Sequence, residues 1–176
     1  LSTGNVVIAD FSDTFAGANT GAVYLFNGAT GALISTLTGA QAGDSVGLGV
    51  TGLTNGNYLV SSVYWDNGAI IDAGAVTWGN GTTGISGVVS SSNSLVGSTA
   101  TDYIGDSGST IALTNGNYVV LSSQWDNGSA INVGAVTWGN GTTGISGVIS
   151  SSNSLVGSTA SDSVGASGII ALTNGN

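Results

Sequence analysis

The sequence contains no lysine, arginine, histidine, cysteine, methionine or proline, and each absence removes a class of function. Without lysine or arginine there is no basic patch, so nucleic acid is a poor partner. Phosphate clamps, Schiff-base chemistry, salt bridges and lysine–asparagine crosslinks go with them. Without histidine there is no Ser-His-Asp or Cys-His machinery. Without cysteine or histidine there are no disulfides, zinc sites or redox motifs. The formal net charge is -9, which disfavours anionic membrane surfaces. No apolar run approaches the roughly 18 residues of a membrane span, so no membrane insertion is expected. The missing methionine predicts that these residues are a processed form or an excerpt of a longer chain.

What is present is glycine, small polar residues and short apolar runs. The 176 residues include 31 glycines, and 41% are hydrophobic, with a mean hydropathy of +0.36. That is too apolar for a disordered acidic tail.

Repetition is the strongest signal. Residues 74–101 and 134–161 differ only at Val89/Ile149 and Thr101/Ser161. Leu53-Thr54-Asn55-Gly56-Asn57-Tyr58 recurs from Leu113, and its start recurs at Leu172. A divergent copy begins at Leu1: Gly21-Ala22-Val23 matches Gly74-Ala75-Val76, and Asp44-Ser45-Val46-Gly47 matches Asp102-Tyr103-Ile104-Gly105 and Asp162-Ser163-Val164-Gly165. The units are 1–52, 53–112 and 113–171, with 172–176 opening a fourth.

Each unit reads as strands between tight turns. Asn-Gly pairs at Asn27, Asn55, Asn67, Asn80, Asn115, Asn127, Asn140 and Asn174 suit the positive φ angles of two-residue hairpins. Runs such as 58–62, 75–78, 87–90 and 94–97 are rich in residues that favour a pleated surface. No window keeps helical apolar spacing. The chain is therefore expected to be all-β, in tandem repeats near 60 residues with about four strands each. That is the arithmetic of β-propeller blades. A parallel β-solenoid, about three coils per unit, is the alternative architecture.

The Asp-x-Ile/Val-Gly segments, the strand pair after Asn-Gly, and Gly21-Ala-Val-Tyr-Leu-Phe-Asn-Gly-Ala-Thr-Gly31 resemble FG-GAP-like repeats of integrin-type propellers, most closely those of large bacterial surface proteins. The resemblance implies a propeller in an extracellular or cell-surface setting. Such blades often carry a calcium loop with alternating aspartates. The turn here is Leu-Thr-Asn-Gly-Asn, without a carboxylate, so no calcium, and no other cofactor, is expected. Three blades cannot close a ring. Contacts at the ends with neighbouring repeats or copies of the chain are therefore expected.

Two aspartate positions recur: Asp44/Asp102/Asp162 and Asp66/Asp126. Paired carboxylates suit glycoside hydrolysis or a metal. A turn role, with the carboxylate accepting backbone N–H groups, accounts better for recurrence in every unit. Trp78 and Trp138 alternate with threonines and are expected between sheets. Trp65, Asp66 and Asn67, with Trp125, Asp126 and Asn127, lie beside a turn and form the candidate glycan contact. Asn80, Asn127 and Asn140 match the glycosylation sequon, which the Asn-Gly turn already explains. Two function classes follow: a non-enzymatic structural or adhesive segment that self-associates into a ring or filament, and a carbohydrate-binding module.

Overall fold

The computed structural model describes residues 1–172, and these fold into strands and turns without a helix. The expected turn at Asn174 and most of the fourth unit's start lie outside the described residues. In chain order the strands are β1 (Val6–Asp10), β2 (Ala22–Phe26), β3 (Leu33–Thr38), β4 (Gly49–Gly52), β5 (Tyr58–Ser62), β6 (Ala75–Gly79), β7 (Gly87–Val88), β8 (Ser94–Val96), β9 (Thr110–Ala112), β10 (Tyr118–Ser122), β11 (Ala135–Gly139), β12 (Gly147–Val148) and β13 (Leu155–Val156).

They form three open sheets, ordered β1-β2-β3-β7, β4-β5-β6-β8-β12 and β9-β10-β11-β13. The body of each is an antiparallel run, β1-β2-β3, β4-β5-β6-β8 and β9-β10-β11-β13, with Tyr58 opposite Gly79 and Tyr118 opposite Gly139. The tyrosine rings lie over these glycines, where a Cβ would overlap them. The sheets run slightly out of phase with the sequence units: β4 ends the first unit but joins the second sheet, and β9 ends the second unit but joins the third.

Two short strands cross between units. β7 leaves its own unit and pairs in parallel with β3 of the unit before, Leu37 with Gly87. β12 does the same to β8, Leu95 with Gly147. Among the described residues, parallel pairing is confined to these strands and to single bridges such as Gly74 with Ile104. The main ladders are antiparallel, so the β-solenoid alternative does not describe the molecule. The described residues form no closed barrel or propeller; the sheets remain open.

The sheets pack face to face. One core joins Val23, Leu25, Leu37 and Val46 of the first unit to Tyr58, Val60, Trp65, Ala75, Val89 and Val96. The other joins Leu59, Val76, Leu95 and Ile104 to Tyr118, Val120, Trp125, Val133, Ala135 and Ile149. The middle sheet thus buries both faces, and every residue of β5 is buried. Alternation along β5 explains this: Tyr58 and Val60 point back, Leu59 points forward.

The turns differ from the expectation. Among the described residues only Asn67 and Asn127 open two-residue hairpins, each closed by a mutual backbone pair, Asn67 with Ile70 and Asn127 with Ala130. Gly68 takes the positive φ, at 68°. At Asn80 the loop is longer. The Asn80 side-chain oxygen accepts the N–H groups of Thr82 and Thr83, and Gly84 carries the positive φ. Gly81 serves another purpose: a Cβ there would overlap the Gly56 carbonyl.

Candidate functional site

The repeated motifs converge on the junctions between units. The first contact is the aspartate. Asp44 Oδ2 accepts N–H bonds from Ala40 and Gln41, at 2.7 and 2.8 Å, while Oδ1 accepts from Asp66 N of the next unit at 3.1 Å. Asp102 repeats this with Ser98, Thr99 and, across the second junction, Asp126 N at 2.9 Å. Asp162 keeps the two local bonds, from Ser158 and Thr159. Burial pushes the Asp102 carboxyl above its ordinary value, although its three N–H donors pull the other way. At exposed Asp162 the N–H donors of Thr159 and Ser158 prevail and hold it below that value. The same motif position thus carries a raised carboxyl at Asp102, which the following unit covers, and a lowered one at exposed Asp162.

The second contact is an asparagine ladder. Asn5 Nδ2 donates to Gly81 O at 2.9 Å, and Gly81 N donates to Asn57 Oδ1 at 2.9 Å. Asn57 Nδ2 donates to Gly141 O at 2.8 Å, and Gly141 N to Asn117 Oδ1 at 3.0 Å. Thr51 and Thr110 hydroxyls meet at 2.8 Å on the same side of the stack.

The third is tryptophan. The Trp78 indole N–H donates to Gly141 O of the next unit at 3.0 Å, and Trp78 packs against the second core, as expected of a residue between sheets. Trp138, at the same repeat position, is 52% exposed. It does not lie between sheets, because it faces the end of the described stack.

Of the candidate glycan contacts, the two tryptophans are corrected. Trp65 and Trp125 are only 4% and 3% exposed and belong to the two cores. A buried indole offers no face on which a sugar can stack. Asp66 Oδ1 accepts Asp72 N at 2.8 Å, and Asp126 Oδ1 accepts Asn132 N at 2.7 Å, so both carboxylates close their own loops. Asn67 Nδ2 donates to Gly97 O. Asn127 is exposed beside its hairpin. The segment thus organises a junction. Sequence reasoning missed the asparagine ladder and the back-reaching β7 and β12. The signal for the ladder was present in the recurrence of Asn57 and Asn117, read only as a turn.

Aligned sheets, clamped carboxylates and shared asparagines at every junction define a tandem repeat protein. The chain belongs to the family described as "Repeat of unknown function (DUF5650)", which matches residues 52–106 and 112–166, more than half of its length. No curated protein matches the sequence.

Proposed function

We propose that this chain is a non-enzymatic structural segment of a large extracellular surface protein, which extends by stacking unit upon unit and associates with copies of itself. The observation that carries the reading is the junction. Each recurrent chemical group, Asp44/Asp102, Asn5/Asn57 and Trp78, is spent on holding the next unit. The finer resemblance to FG-GAP-like propellers agrees with antiparallel runs of three or four strands packed face to face, and a ring or filament is the form that continued stacking takes. Absence of trypsin sites, since the chain has no lysine or arginine, suits an exposed extracellular setting. The apolar outer faces suit addition of another copy, with Val6 and Ile8 about half exposed at one end and Trp138 and Leu155 at the other.

The test is the mass of the chain in solution, by light scattering or sedimentation, over a salt series. Mass that grows as salt screens the charge supports self-association. A compact monomer at every salt concentration overturns it.

A further inference from the structure

The exposed face of the third sheet is shaped by the same residues that are covered in the first two, and what covers them is on view. Leu37 and Leu95 are fully buried, while Leu155 at the same repeat position is 69% exposed. Leu37 is paired by Gly87 of β7 and Leu95 by Gly147 of β12, whereas β13 is an unpaired sheet edge among the described strands. Val89 N donates to Thr38 O at 3.0 Å and Ile149 N to Val96 O at 3.1 Å, driving Val89 and Ile149 into the two cores. The loop before β12 completes the cover. Gly141 O accepts the Trp78 indole N–H, and Gly144 lies against Trp78 so closely that a Cβ would crowd it.

We propose that the outer face of the third sheet is a socket for the back-reaching segment of one further repeat, a polypeptide of the form Asn-Gly-Thr-Thr-Gly-Ile-Ser-Gly-Val-Ile/Val. This rests on the stacking reading and adds its polarity and its partner. The segment lays Gly-Val in parallel against Leu155 and Val156, places its Ile or Val over the sheet, and brings a glycine carbonyl to the Trp138 indole N–H. It is strand addition with an anchored side chain. The first unit cannot supply it. Between Gly31 and β3 it has only Ala32, whereas residues 85–93 separate Gly84 from β8 in the second unit. The socket is therefore specific for a unit of the 53–112 or 113–171 kind, and the front of another copy leaves the β13 edge open.

The test titrates a synthetic peptide of residues 140–153 into the full chain. Trp65 and Trp125 are buried and Trp78 is already covered by the loop of Gly141 and Gly144, so Trp138 dominates any change in indole emission. The expected result is a saturable blue shift. A peptide carrying Ile149→Asp binds at least about tenfold more weakly, since it loses the buried aliphatic anchor. By calorimetry, the Trp138→Ala chain binds the unaltered peptide more weakly by a similar factor. No saturable signal up to about 1 mM peptide, or equal binding by the Ile149→Asp peptide, overturns the socket. Because the altered peptide leaves the protein untouched, misfolding cannot imitate either outcome. A chain that stays monomeric in every salt yet binds the peptide retires self-association and keeps the socket. A chain that grows in mass yet ignores the peptide does the reverse.

Discussion

Gly68 and Gly74 hold nearly the same positive φ, 68° and 74°, yet the structure asks different things of them. Gly68 sits at a hairpin tip where an added Cβ meets nothing within 4 Å. Gly74 lies against the backbone of Ile104, which it bridges in parallel, and a Cβ there would overlap the Ile104 nitrogen and oxygen. The same approach recurs at Gly21 with Val46 and Gly134 with Val164. It is held by residues that themselves adopt positive φ, Asp72 and Tyr103, joined by Tyr103 N donating to Asp72 O. Gly68→Ala should cost about 1 kcal/mol, the left-handed strain alone. Gly74→Ala should cost about 3 kcal/mol or more, because backbone must move as well. Denaturant unfolding of the two variants measures the difference, and equal losses would mean that the close approach is not held.

At the scale of elements, the junction predicts that one residue type at one repeat position has two energies. Trp78→Ala removes a half-buried indole and leaves Gly141 O without that donor, so it should cost about 2 kcal/mol. Trp138→Ala removes an exposed ring and should stay within about 0.5 kcal/mol. Urea midpoints of the two variants decide it; similar losses would show that the junction does not set the energy. This contrast also marks what was legible beforehand. The repeats, the all-β class and the strands at Tyr58–Ser62, Ala75–Gly79 and Ser94–Val96 follow from turn residues and β-branched runs. The carboxylate of Asp102 was readable as a turn acceptor, because its recurrence in each unit points to architecture. The partner of Gly87-Val88 was not readable. A two-residue strand has no period of its own, and its ladder lies in another unit. Trp65 misled for a related reason. Its neighbours Asp66, Asn67 and Gly68 announce a turn, but the indole fills the core beneath that turn while the polar atoms serve the loop.

Over the whole molecule, nine aspartates face no cationic side chain, so pH and salt act differently than on a protein held by ion pairs. Added salt screens carboxylate repulsion and has no side-chain salt bridge to weaken, so the melting temperature should hold or rise in moderate salt. A clear fall would contradict this. On the acid side, burial raises Asp102 above its ordinary 3.8, and burial together with the Asp66 charge raises Asp72. A folded-state value above the unfolded one means that the folded chain holds more protons, so these groups stabilise at low pH and lose that contribution as pH rises through their raised values. Asp162, lowered by its N–H donors, acts oppositely, and its contribution fades only below 3.8. The melting temperature should therefore be higher near pH 4.5 than at pH 7, and should turn down only in stronger acid. On the alkaline side, burial pushes the Tyr118 hydroxyl from 10.0 up to about 12, against the bond it accepts from Ile145 N. The folded chain again holds the extra proton, so stability of roughly 2–3 kcal/mol is present below pH 10.0 and drains away as pH climbs towards 12. Tyr118→Phe keeps the ring over Gly139 and removes the titrating group. Its stability should fall less steeply across that window, while an unchanged alkaline slope would place the loss elsewhere.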